Sequence, residues 1–176
     1  QRLERKIKPS VVRPSLDPID AWNLVSVNCW TNGPAEFFAD RLRARLNGVP
    51  VRELGVSASE GSIAFPLAAD WPGSVLWVGG HLLEFVLPNG DVLMAHELEE
   101  GMRVRVVLTT SAGLYRYDME DDVEVVGRCL NTPMVRFLGK SGRYLNAVGE
   151  RVTEQHVSAA MAAIGHAIDG FTARVR

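Results

Sequence analysis

At 176 residues and 47% hydrophobic content, the chain can bury the core of one domain or a little more. A formal charge of −2 and a pI near 6.1 exclude the strongly basic face that nucleic acid demands of a main partner. No apolar run approaches the roughly 20 residues of a helical membrane span, and no basic-then-apolar leader opens the chain.

Residues 1–21 carry three prolines and no sustained periodicity, so an extended lead-in is expected, with a short helical turn near Pro18. Its basic start, QRLERKIK, reads as a solvated chain end. "NLVSVNCW" (23–30) is a short apolar run with β-branched residues, which predicts a buried strand. "TNG" then turns the chain, and Pro34 suits a first helical position. Phe37, Phe38, Leu42 and Leu46 recur at helical spacing until Asn47-Gly48 stops the pattern. "VPVRELGV" (49–56) reads as the next strand, so a βαβ unit with a parallel sheet is expected.

From residue 62 the periodicity turns to β. "SIAFPL", "SVLWVG", "HLLEFVLP", "MRVRVVLTT", "GLYRYD", "DVEVVGRCL" and "MVRFLG" are short runs divided by Gly, Pro, Asn and Asp, and "PNGD" (88–91) is a hairpin turn. Such a succession predicts an antiparallel meander or small barrel. A helix follows over 154–167, with Thr153 as its cap and Val157, Ala160, Met161, Ile164 and Ile168 on one face. The glycines of "GKSGR" mark a boundary near 139–143. The expected class is α/β: a βαβ part of a parallel sheet, an antiparallel meander or small barrel, then the start of a C-terminal α+β lobe.

Two cysteines, Cys29 and Cys129, lie in apolar runs and read as reduced, buried thiols of a cytoplasmic protein. The four histidines, His81, His96, His156 and His166, are too scattered to suggest a metal site, and the last two read as exposed or boundary positions on the final helix. Trp30, Phe65, Trp77 and Phe85 could line an apolar pocket, but residues of these types are more often core.

Two stretches can carry chemistry. In "LGVSASEGS" (54–62), Ser59 and Glu60 follow a buried strand, where the ligands of open α/β sheets bind, and a carboxylate there can hold Mg²⁺ beside phosphates. In "GLYRYDMEDDVEVVG" (113–127), five carboxylates crowd together: Asp118, Glu120, Asp121, Asp122 and Glu124. If the strand is regular, Asp118, Glu120 and Asp122 point one way, and Asp121 and Val123 the other. So many acids in a row disfavour strand and predict a turn, with one inward carboxylate able to accept from a ribose diol.

Taken in order, "CWTNGPAEFFADRLRARLNGVPVRELGVSASEGSIAFPL", "LLEFVLP", "VLTTSAGLYRYDMEDDVEVVG" and "MVRFLGKSGRYLNAVGERVTEQHV" resemble the acyl acid amido synthetases related to the plant auxin-conjugating enzymes, in their bacterial form. These belong to the acyl-adenylate-forming superfamily. The resemblance implies an ATP- and Mg²⁺-dependent ligase that adenylates a small carboxylic acid and passes the acyl group to an amine or amino acid. It implies that Ser59 and Glu60 bind ATP, with Glu60 also catalytic and on the metal, and that Asp121 grips the ribose. Thr31, Asn32 and Gly33 would line the adenine side. "FLGKSGR", with Lys140, would be the hinge of the C-terminal lobe, and Arg151 would bring positive charge to the phosphates. On this view residues 1–139 are part of the large N-terminal domain and 140–176 the hinge and start of the small one.

The chain departs from the family pattern at Val56, where an aromatic ring is common, and at Asn32, where a second glycine is common. It also lacks the Ser/Thr/Gly-rich phosphate loop and most of the C-terminal lobe, so the resemblance implies an internal fragment, inactive in isolation. Two other readings stand beside the amide ligase: a non-catalytic module that binds the acid or a nucleotide, and a ligase ending in a coenzyme A thioester.

Overall fold

The computed structural model describes residues 22–69, 71–142, 144–147, 150–164 and 172. The expected lead-in, His166 and most of the C-terminal end lie outside these residues.

Strand β1 (Val27–Cys29) leads through a 3-10 turn (Gly33–Ala35) into helix α1 (Glu36–Arg45), and β2 (Val51–Glu53) returns parallel to β1. This is the expected βαβ unit, with strands shorter than predicted. Helix α1 starts behind Pro34 and ends where Asn47 and Gly48 take positive φ values of 47° and 93°. It buries Ala39, and Leu46 packs just past its end. Phe38, expected on the apolar face, is largely exposed.

The remaining strands form an eight-stranded sheet in the order β3-β4-β5-β10-β9-β8-β6-β7, antiparallel throughout. They are β3 (Val56–Ala58), β4 (Gly61–Phe65), β5 (Ser74–Leu76), β6 (Leu82–Val86), β7 (Val92–Met94), β8 (Arg103–Thr109), β9 (Tyr117–Cys129) and β10 (Thr132–Lys140). The run 49–56 therefore does not form one strand. Gly55 breaks it, at φ 91°, and Val56 opens a new strand in the other sheet. "PNGD" does make the β6–β7 hairpin, with the Leu87 N–H donating to Asp91 O at 2.8 Å and Gly90 at φ 92°.

The core lies on one face of this sheet. Ile63, Leu76, Leu83, Phe85, Val106, Leu108, Val123, Val125 and Val135 are buried together, each contributed by strand alternation. Of the four aromatic residues expected in the core, only Phe85 is buried; Trp30, Phe65 and Trp77 are exposed, the last two packed edge to face at 6.5 Å. The two cysteines are free and half-buried rather than fully buried.

The crowded carboxylates correct a second expectation. They lie within one continuous strand, β9, and not in a turn between two strands. Strand alternation holds across them: Met119, Asp121, Val123 and Val125 are buried, while Asp118 and Glu120 are exposed. The sheet tolerates the outer row because its neighbours supply cations. Arg105 of β8 reaches Asp118 at 3.3 Å and Asp122 at 3.9 Å, and Arg136 of β10 reaches Glu124 at 2.6 Å. Cross-strand pairs of opposite charge each add roughly 0.2–1 kcal/mol, which offsets the low strand propensity of the acids.

Beyond β10, strands β11 (Tyr144–Ala147) and β12 (Glu150–Thr153) pair antiparallel and lead into helix α2 (Glu154–Ile164). Thr153 caps it as expected, its Oγ1 accepting the His156 N–H at 3.3 Å, and His156 is exposed. Among the described residues no helix is long and apolar enough to cross a membrane.

Candidate nucleotide site

A cavity of ≈ 300 Å³ opens where the parallel pair meets the large sheet, between the 3-10 turn, β3, β9 and β10. Asn32, Val56, Asp121 and Lys140 line it together with Trp30 and Glu53. Three of the residues expected to bind a nucleotide, Asn32, Asp121 and Lys140, are thus brought to one space from positions far apart in sequence.

A local irregularity of β9 lies beside Asp121. Opposite β8, Arg105 pairs with Asp122 but Val107 pairs with Asp118, so β9 carries extra residues. Glu120 takes φ 54° inside this bulge, held by its N–H donating to Asp118 Oδ1 at 2.9 Å. Its carbonyl accepts the Ser141 N–H at 2.6 Å. Bulges of this kind re-aim side chains beside functional sites.

The Asp121 carboxylate is only 5% exposed and meets Lys140 Nζ at 2.7 Å. Burial pushes its pKa above the ordinary carboxylate value, Lys140 pulls it back, and the charges of Glu60 and Asp122 push it up again. Lys140 also donates to Met119 O at 2.8 Å. It lines a second, larger cavity of ≈ 510 Å³ between β8, β10 and the start of α2, where Arg103 and Arg105 add positive charge. An ammonium group therefore stands between the two spaces.

Ser59 and Glu60 form the tip of the β3–β4 hairpin in the antiparallel sheet, which corrects their expected place at the end of a parallel strand. Ser59 is exposed. Glu60 accepts from the Tyr117 hydroxyl at 3.3 Å, and its charge is felt at Asp121. The structure brings these two carboxylates near each other, although Glu60 does not line the smaller cavity.

Thr31 and Asn32 are fixed by Glu53, which the sequence reading passed over. Glu53 Oε2 accepts the Thr31 N–H at 2.7 Å, the Thr31 hydroxyl, and the Asn32 amide nitrogen at 2.8 Å. The signal available was the one carboxylate in the mainly apolar "VPVRELGV", since a partly buried charge has to be matched by donors. Gly33, at φ 60°, turns the loop against β10, where a Cβ would lie 2.9 Å from Leu138 O. Arg151 lies in β12 opposite Asn146, and its side chain is outside the described residues.

Residues 75–140, from β5 to the end of β10, match the GH3 family central domain. The stretch from β5 to β10 is thus similar to a GH3 central domain. Asp121 and Lys140 fall within the matched residues, and the Asn32 loop and Glu60 precede them. Among the solved structures that match, two share the fold of most of this chain. It superposes on the GH3.15 acyl acid amido synthetase with a TM-score of 0.72 at 20% identity, covering 79% of this chain and 26% of that one. On AtGH3.15 acyl acid amido synthetase in complex with 2,4-DB the TM-score is 0.71 at 20% identity, covering 78% and 25%. The chain therefore spans about a quarter of the length of the solved structures it matches. No curated protein matches its sequence.

Proposed function

We propose that this chain supplies part of the nucleotide site of an ATP- and Mg²⁺-dependent ligase. The parent enzyme would adenylate a small carboxylic acid and transfer the acyl group to an amine or amino acid. One observation carries the reading: a nearly buried carboxylate, Asp121, lines a cavity of ≈ 300 Å³ with a lysine at 2.7 Å and a second carboxylate, Glu60, near enough to shift its pKa. A carboxylate so desolvated gains most from hydroxyl donors, and a ribose offers two adjacent ones.

On this reading Asp121 holds the ribose and the Asn32 loop borders the base. Trp30 and Val56 supply the apolar walls. Lys140 releases Asp121 to its ligand and turns its charge toward phosphate oxygens. Glu60 holds Mg²⁺ directly or through water. Among the described residues no three His, Cys, Asp or Glu side chains cluster as a metal cage. Mg²⁺ does not require one, because it takes much of its octahedral shell from phosphate and water. Arg151 keeps its assignment as positive charge near the phosphates, in fork rather than point geometry.

The test is acid-dependent exchange of pyrophosphate into ATP by the full-length protein over a panel of carboxylic acids. Asp121→Ala lowers exchange by about 10–100-fold, the range of a hydrogen bond to a charged group. Unchanged exchange in that variant removes the ribose assignment. Product analysis with coenzyme A against amino acids separates thioester from amide.

The small aliphatic Val56 on the cavity wall, where the family pattern has a ring, favours a second reading as a binding module without catalysis. Acid binding by the full-length protein with no nucleotide binding would establish it.

A further inference from the structure

The loops that follow β1 and β2 are tied together by one side chain. Glu53 accepts five hydrogen bonds. Three come from the β1 side, from Thr31 N–H, the Thr31 hydroxyl and Asn32 Nδ2. Two come from its own strand end, where Oε1 accepts Leu54 N–H at 3.1 Å and Gly55 N–H at 3.0 Å. Both oxygens are thus filled by donors, and a carboxylate can only accept.

That asymmetry decides how Asn32 sits. Its amide nitrogen has to face Glu53, so its oxygen is the group this side chain can present to a ligand. The next residue, Gly33, runs close to β10, where a Cβ would lie 2.9 Å from Leu138 O and 3.0 Å from the Phe137 ring. Asn32 and Glu53 both line the cavity that holds Asp121.

Resting on the nucleotide reading above, we propose that Glu53 is a positioning residue that sets base selectivity through Asn32. By holding the amide nitrogen, it commits Asn32 Oδ1 to accept a hydrogen bond from the base edge. A base with an exocyclic amine, as in adenine, satisfies that acceptor. A base with a ring carbonyl at the same place, as in hypoxanthine, meets it oxygen to oxygen and is rejected.

The experiment is calorimetric titration of the full-length protein with AMP and with IMP, which differ at C6, amine against carbonyl, and in the proton that the carbonyl form carries on N1. The protein as encoded is expected to prefer AMP by at least about tenfold, the order of one hydrogen bond gained against one acceptor left unpaired. Glu53→Gln places an amide opposite Asn32 and lets it turn over, so the AMP:IMP ratio falls toward one. Should that variant lose its thermal transition, Asn32→Ala decides the matter, since it removes the acceptor while leaving Glu53 its other four donors. An unchanged ratio in a folded Glu53→Gln or in Asn32→Ala overturns the assignment while leaving the nucleotide site standing. Failure of the unaltered protein to bind either nucleotide overturns both.

Discussion

Asp121 combines its proposed ribose role with a stability penalty. Desolvation raises its carboxyl pKa above the ordinary 3.8, in spite of Lys140. A carboxyl with a raised folded-state pKa contributes stability that is fully present below its unfolded value and is lost as pH rises through the folded one. Asn at this position stays neutral at every pH. Asp121→Asn is therefore expected to raise the melting temperature more at pH 7.5 than at pH 4, read by thermal melts of both proteins across that range. The same variant loses nucleotide-dependent activity, the usual exchange of stability for function at such sites. At this scale the sequence was informative in part. Alternation along "DMEDDVEV" put Asp121 on one face with Val123 if the strand is regular, as the structure has it, whereas the acids themselves predict a turn. The partners that make Asp121 distinctive are Lys140, its cross-strand neighbour at the far end of the β9–β10 hairpin, and Glu60, from the β3–β4 hairpin. Glu53 carried a signal that went unread.

Among the elements, β9 and the β2–β3 junction show where local propensity yields to neighbours. Five acids within seven residues predict a turn. Between β8 and β10 the outer acids instead face Arg103, Arg105 and Arg136, and the strand persists through a bulge. At the junction, Gly55 allows the chain to leave the parallel pair for the antiparallel sheet, at φ 91° with its α-hydrogen side against Ala64 O. A Cβ there would lie 2.4 Å from that carbonyl, whereas at Gly90, φ 92°, it would meet nothing within 4 Å. Gly90→Ala is expected to cost about 1–2 kcal/mol from backbone conformation alone. Gly55→Ala adds a backbone clash to the same strain and should cost at least twice as much, measured by urea denaturation of the two variants. Equal costs would mean that β3 can move away from β4 without penalty.

Across the whole molecule, the eight-stranded sheet is the platform and the site lies at its junction with the βαβ unit. Phe85, fully buried on β6, sits among Ile63, Leu108 and Val123 in the core. Phe85→Ala is expected to destabilise the fold by about 3–5 kcal/mol, read as a lower denaturation midpoint with little change in slope. The sequence by itself determined the existence and order of most elements, because apolar periodicity, Pro34, Asn47-Gly48 and the "PNGD" turn act over a few residues. It also grouped Asp121 with Val123 on one face, since side-chain alternation is a property of any strand, while the persistence of that strand was settled by its neighbours. Tertiary structure alone decided that Val56 belongs to the antiparallel sheet, that Trp30 and Trp77 remain exposed, and that Asn32, Asp121 and Lys140 share one cavity. Those outcomes depend on pairing between strands distant in the chain and on which charges face each other after pairing. Local pattern contains neither, because register and burial are set by the partner strand.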